Sequence, residues 1–268
     1  MPHPSHAALA WQIFDPSEVV VPPHVQGQPW EDEWLNGTQG ALTQLAMMAW
    51  VDHELKRLVQ KLAQVDRLNN LLVVFVVDNG SSIENSSKGS PMDKGWRMPT
   101  VIAGAGIAQG ATNDSMLTIT DIRPTILDYA GVPYTEISDG RSFRPLLEGQ
   151  TPPDWRERVV HLTWPGVVVE PAWQDELMGI TIHDNATGMM YVSWLRETRP
   201  EFDDWLRIFE GLRGYPIRNC GDEHLYHIAT DPYELVDLAK DPAFRDMLRD
   251  YRRDANDWLV GHGWTGCP

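Results

Sequence analysis

Leu71 to Val77, "LLVVFVV", are seven consecutive apolar residues that end on Asp78, Asn79 and Gly80. A short continuous apolar run bounded by turn residues predicts a strand covered on both faces, the kind found in the middle of a parallel sheet. Ahead of it, "TQGALTQLAMMAWVDHELKRLVQKLAQV" over residues 38–65 places Leu42, Leu45, Ala49, Leu55, Val59 and Leu62 mostly three and four apart. That spacing predicts an amphipathic helix of roughly 24 residues, about 36 Å long. "DRLNN" breaks the helix, so helix and strand together form half of a βαβ unit. Downstream, "MPTVIAGAG" predicts a second short strand running into a Gly-rich turn. "TITDIRPTILDYAGV" predicts a helix with Pro124 near its first turn and Gly131 just past its end.

The pattern changes near residue 155. "RVVHLTW", "LMGITIHD" and "GMMYVSWL" are short strand-like segments separated by Gly, Asp and Asn, which predicts a small antiparallel sheet. "DPAFRDMLRDYRRDANDWLVGHG" predicts a closing, charged amphipathic helix stopped by Gly261. Residues 1–37, rich in Pro and aromatics, carry no sustained period and read as an irregular segment packed over something else. The chain therefore divides into an α/β portion, residues 1–154, and a smaller α+β portion, residues 155–268.

Composition narrows the partners more than the fold. A length of 268 residues, with 42% hydrophobic and 22% charged, allows a core of ordinary size. A formal net charge of −16 and a pI near 4.8 argue against nucleic acid or an anionic membrane surface, both of which need a positive field. A small anionic substrate would need a local positive site made by a metal ion or a few cations. Cys220 and Cys267 are the only cysteines, lack metal-ligand spacing and read as incidental thiols. No apolar run reaches the roughly 20 residues needed to span a bilayer, and "MPHPSHAALA" lacks a basic region followed by an apolar stretch. The expectation is a reduced, cytoplasmic setting.

The chemistry concentrates where the apolar run stops. In open α/β sheets ligands bind at the carboxyl ends of strands, and Asp78 and Asn79 both offer oxygen donors of the kind hard divalent cations prefer. An Asp-Asn-Gly turn made for backbone reasons alone is the competing reading. The segment that follows, "SSKGSPMDKGWRMP", brings in Lys88 and then Asp93, Gly95, Arg97 and Pro99.

With that segment, with "TDIRPTILDYAGV", "DGRSFRPLLEG" and "HLYHIATDPYELVDLAKDP" after it in order, and with "PHPSHAALAWQIFDPSEVVVPP" before it, the chain resembles the C-terminal half of the sulfatase family, in the alkaline phosphatase superfamily. Its style is that of arylsulfatases and phosphonate monoester hydrolases. The resemblance implies part of an alkaline-phosphatase-like mixed sheet flanked by helices, plus a small C-terminal antiparallel sheet with a packed helix. It implies that Asp78 and Asn79 coordinate an active-site divalent cation, with Ca²⁺ preferred and Mg²⁺ or Mn²⁺ as alternatives. Lys88 falls on the lysine that contacts sulfate oxygens. His3 falls on the histidine beside the leaving-group oxygen, with His6 as runner-up; an imidazolium there can protonate a departing alkoxide or phenoxide. Lys94 departs from the family pattern, standing where a Gly is common.

A larger departure concerns the nucleophile. The family converts a Cys or Ser in Cys/Ser-x-Pro/Ala-x-Arg to formylglycine and holds its metal with a further Asp-Asp pair near the family's N-terminus; no Cys/Ser-x-Pro/Ala-x-Arg segment occurs in these 268 residues, and no Asp-Asp pair occurs before residue 203. The expectation is a truncated chain that binds metal weakly and is inactive alone, lacking attack by a geminal diol. Its partners are then a small sulfate, phosphate or phosphonate ester and either the missing N-terminal half or a second copy. Three readings stay open: a sulfatase piece, a phosphate or phosphonate ester hydrolase of the same superfamily, and a non-catalytic binding or partner subunit. Asp-Asn favours sulfatases over phosphodiesterase relatives, in which Asp-His is common. A half-sheet would also leave faces such as "LLVVFVV" uncovered.

Overall fold

The structure is a computed structural model that describes residues 21, 26–27, 31–36, 41–80, 91–104, 106–134, 139–163, 179–195 and 220–264. In chain order the elements are α1 (Glu31–Asn36), α2 (Ala41–Gln64), β1 (Leu72–Val76), the single turn α3 (Asp93–Trp96), β2 (Thr100–Gly104), α4 (Ile122–Tyr129), α5 (Arg144–Leu147), β3 (Arg158–Thr163), β4 (Gly179–Asp184), β5 (Met189–Trp194), β6 (Glu223–His227) and α6 (Arg245–Gly261). No helix among the described residues is long and apolar enough to cross a membrane.

The best-packed part is an antiparallel sheet in the order β3-β4-β5-β6. Pairs such as Ile182↔Tyr191 and Tyr191↔Leu225 set its register. Alternation along each strand sends Ile180, Ile182, Met189, Tyr191 and Leu225 to one face. There they meet Leu248, Tyr251, Ala255 and Leu259, the three-and-four-spaced stripe of α6. Each of these large side chains stabilises the fold by roughly 1.5–3 kcal/mol on burial. The opposite face, Met190, Val192, Trp194, Tyr226 and Ile228, is also covered, by Met92 with Trp96 beside it. Both faces of β5 are therefore buried. β6 lies inside the "HLYHIATDPY" stretch, which the sequence marks only as a motif. Where Gly261 was expected to stop α6, it is the last helical residue, and Gly263 takes the left-handed turn (φ 79°).

β1 pairs with β2 antiparallel, from Leu72↔Gly104 to Val76↔Thr100. This corrects the expectation of a strand deep in a parallel sheet. All five β1 residues are only half-buried, and Val101 of β2 is 60% exposed. An apolar run specifies that a strand wants cover, but carries nothing about the direction of its neighbour. The same holds for α2, where only Ala41 and Ala46 are buried while Leu45, Met47, Met48, Leu58 and Val59 are exposed. Helix and strand form where the pattern predicts, with their apolar sides uncovered among the described residues.

Between the two sheets, residues 116–156 are tied by one buried carboxylate. Asp121 is fully buried and accepts both guanidinium nitrogens of Arg156, at 2.6 and 2.8 Å, together with the backbone N–H of Thr118 and of Arg141. Its carbonyl accepts from Thr125 Oγ1, which in turn accepts from Phe143 N–H. Arg144 binds Asp128 and Glu148. The "TDIRPT" and "DGRSFRP" motifs thus meet as one scaffold.

The cysteines also differ from expectation. Cys220 is disulfide-bonded, and Cys267, the other cysteine of the sequence, lies outside the described residues. The reading of Cys220 as an incidental thiol is therefore corrected.

Candidate functional site

β1 delivers Asp78 and Asn79 to the end of its strand, Asp78 exposed and Asn79 half-buried. Asn79 Nδ2 donates to the carbonyl of Gly80 at 2.9 Å. That bond fixes the amide and leaves Oδ1, the oxygen a cation would take, out of it. Gly80 is required here by proximity. Its N–H donates to Gly95 O at 3.0 Å, and a Cβ at this position would fall 1.7 Å from the Lys94 carbonyl oxygen. The Asp-Asn-Gly segment is therefore a turn seated on α3, with Gly80 required by its backbone contact and the Asp78 and Asn79 side chains immediately ahead of it.

α3 is in turn seated on the C-terminal sheet. Thr181 Oγ1 donates to Pro91 O, and Trp96 Nε1 donates to the same carbonyl at 3.3 Å. The Trp96 ring stacks on His161, with centroids 5.2 Å apart, and meets His183 edge-on at 5.8 Å. Burial pushes His161 down to about 4 and also lowers His183, so both imidazoles are neutral packing groups at neutral pH. Arg97 reaches Asp93 at 3.4 Å, and Asp93 is nearly fully buried. Its Oδ1 has no hydrogen-bond partner among the described residues.

A second contact comes from the loop after β6. Glu234 Oε1 accepts the backbone N–H of Asp93 at 2.8 Å, across 141 residues of sequence. Lys94 Nζ sits 4.3 Å above the Tyr233 ring. Burial pushes Glu234 up to about 7; the Asp93 N–H and Lys94 pull it down, while the Asp93 and Asp231 carboxylates push it further up. Nothing in the sequence pattern marks Glu234 except its place in "TDPYELVDLA".

Of the four expected site residues, Asp78 and Asn79 stand side by side, whereas His3 and Lys88 lie outside the described residues, as does His6. The donors fit a hard cation in kind, supplying two oxygens of the roughly six it requires. No group of three or more His, Cys, Asp and Glu side chains converges as a cation site among the described residues.

Residues 12–132 match the model of the Sulfatase family. The chain is 25% identical over 226 residues to the multifunctional alkaline phosphatase superfamily protein PehA of Trinickia caryophylli, covering 82% of this chain and 40% of that protein. It is 32% identical over 219 residues to the N-acetylglucosamine-6-sulfatase of Bos taurus, covering 71% and 35%. Among solved structures, the phosphonate monoester hydrolase of Silicibacter pomeroyi superposes with a TM-score of 0.63 at 20% identity, over 97% of this chain and 49% of that one. The chain shares that alkaline-phosphatase-like fold and spans less than half the length of each of the three.

Proposed function

We propose that this chain, whose residues 12–132 match the Sulfatase family model, carries the C-terminal part of a sulfuric ester hydrolase site. Asp78 and Asn79 hold a divalent cation, Ca²⁺ in the first instance, and Lys88 contacts the sulfate oxygens. His3, with His6 as the alternative, protonates the leaving oxygen. The observation that carries this reading is the display of Asp78 and Asn79 at the end of β1, on a turn whose glycine is held against Lys94 and Gly95.

The cation, when bound, supplies positive charge against the ester's non-bridging oxygens. The chain's own groups do the rest. The Asn79 amide is oriented by its bond to Gly80 O, and the Lys88 ammonium adds a second positive charge opposite the sulfate. An imidazolium is a far stronger acid than a neutral imidazole, so the leaving-group histidine acts best in its cationic form in the complex. The 268 residues contain no Cys/Ser-x-Pro/Ala-x-Arg segment from which formylglycine could be made. By themselves they therefore bind the ester and cation without attacking sulfur.

Calorimetric titration of the purified chain with Ca²⁺ tests the cation site. Weak, saturable binding that Asp78→Ala removes is expected, whereas identical titrations of the two proteins would refute the assignment. An aryl sulfate assay of the same sample should show no turnover above buffer, and activity abolished by Lys88→Ala would contradict the proposed division of labour.

A phosphonate or phosphate monoester is the second substrate reading. PehA and the phosphonate monoester hydrolase are both similar to this chain over most of its length. A site of cation plus lysine recognises any tetrahedral oxyanion, so protection of the chain from thermal unfolding by sulfate against phosphate, each with Ca²⁺, separates the two.

A further inference from the structure

We propose that Glu234 is a positioning residue for the Asp78–Asn79 pair, acting through the backbone of α3; the cation role of that pair is the reading given above. The connection is a short series of hydrogen bonds. Glu234 Oε1 accepts from Asp93 N–H, the first residue of α3. Within the turn, Gly95 N–H donates to Met92 O at 2.9 Å and Arg97 N–H to Asp93 O at 2.8 Å. Gly95 O then accepts from Gly80 N–H, one residue beyond Asn79, whose side chain is bonded to Gly80 O.

Three independent features single out Glu234 from an ordinary loop carboxylate. Its backbone is left-handed, with φ of 56°, a conformation that costs a non-glycine residue on the order of 1 kcal/mol and persists only where surrounding contacts impose it. Those contacts are present. Glu234 N–H donates to Asp231 O, and the Asp231 carboxylate accepts from Leu235 N–H and Val236 N–H. The neighbouring Tyr233 ring lies under Lys94, which gives the same loop a second grip on α3. Finally, Gly80 has no lateral freedom, because its backbone is in direct contact with the Lys94 and Gly95 peptide. A shift of α3 must therefore move Gly80, and Asn79 with it.

The groups facing Glu234 are Asp93 and Lys94 from α3 and Asp231 from its own loop. Of these only the Asp93 backbone is within the bonding series, so Glu234→Gln keeps an acceptor oxygen in place, whereas Glu234→Ala and the shorter Glu234→Asp remove it.

The test uses the whole 268-residue chain without metal and reads amide hydrogen exchange. Loss of one bond predicts Gly80 exchange faster by about five- to tenfold in Glu234→Ala, with Ile180, Val192 and Leu225 unchanged and Glu234→Gln at the parent rate. Should Glu234→Ala unfold, Glu234→Asp gives the same readout. Gly80 exchange at the parent rate in the folded variant overturns the proposal. Calcium titration of the same proteins separates this inference from the cation reading. Binding lost in Asp78→Ala but unchanged in Glu234→Ala retains the cation site and rejects the positioning role. Faster Gly80 exchange in Glu234→Ala, with no calcium binding in the parent, rejects the cation site and retains the coupling.

Discussion

Asp121 shows how a recognisable residue acquires its meaning. "TDIRPT" is visible in the sequence as a segment similar to the sulfatase family, but Arg156, which satisfies the carboxylate, stands 35 positions later in an unremarkable stretch. The pair is almost wholly inside, with the Arg156 side chain 21% exposed and that of Asp121 at 0%. Removing the charge from one side leaves a half-buried guanidinium and two backbone N–H groups poorly matched. Asp121→Asn should therefore lower unfolding stability by about 3 kcal/mol in urea denaturation, and a loss below about 1 kcal/mol would show that Arg156 finds other partners. Asp78 and Asn79 are the reverse case. Their chemistry was legible because oxygen donors ending an apolar run are unusual, while the reason for Gly80, contact with the Lys94 carbonyl, is a tertiary fact.

At the scale of elements, α3 is a single turn with little intrinsic stability. It holds its place because Met92 and Trp96 pack on one face of the β3–β6 sheet and the loop after β6 grips its start. Two titratable groups at this junction have opposite pH signatures. Glu234 is raised from its ordinary value to about 7, so its contribution to stability is complete below about pH 4.5 and is lost as pH rises through about 7. His161 is lowered to about 4, so its contribution is complete above about pH 6.5 and is lost as pH falls through about 4. The two trends oppose one another over the same range, each worth about 1–3 kcal/mol. Chemical denaturation at a series of pH values from about 4 to 8 should show Glu234→Gln gaining stability relative to the parent as pH rises, leaving only the acid-side loss from His161. Parallel curves would mean that Glu234 is not held in its uncharged form. Both histidines lie in strands that the sequence pattern predicts, but their proximity to Trp96 required β3, β4 and α3 to meet.

The whole molecule is unevenly finished. The C-terminal sheet is covered on both faces, whereas α2 and the β1–β2 pair present Leu45, Met48, Leu58, Val59 and Val101 to solvent. Exposed apolar area of this kind drives association. Sedimentation velocity should show the chain self-associating as concentration rises, and Leu45→Gln with Leu58→Gln should weaken that association while changing stability by no more than about 0.5 kcal/mol per site. A monomer at all concentrations, with no binding of an apolar dye, would show that these faces are covered within the chain.

The local pattern by itself determined where α2, β1, β3, β4, β5 and α6 form, because the periodicity of apolar residues is a property of neighbouring positions. Oxygen-donor chemistry at the end of β1 was equally legible, since residue type and place along a strand suffice to state it. The tertiary structure alone decided the antiparallel pairing of β1 with β2, the mutual satisfaction of Asp121 and Arg156, and the grip of Glu234 on α3. Each of these depends on which distant segments share space, a geometric outcome of the folded chain that no single stretch encodes.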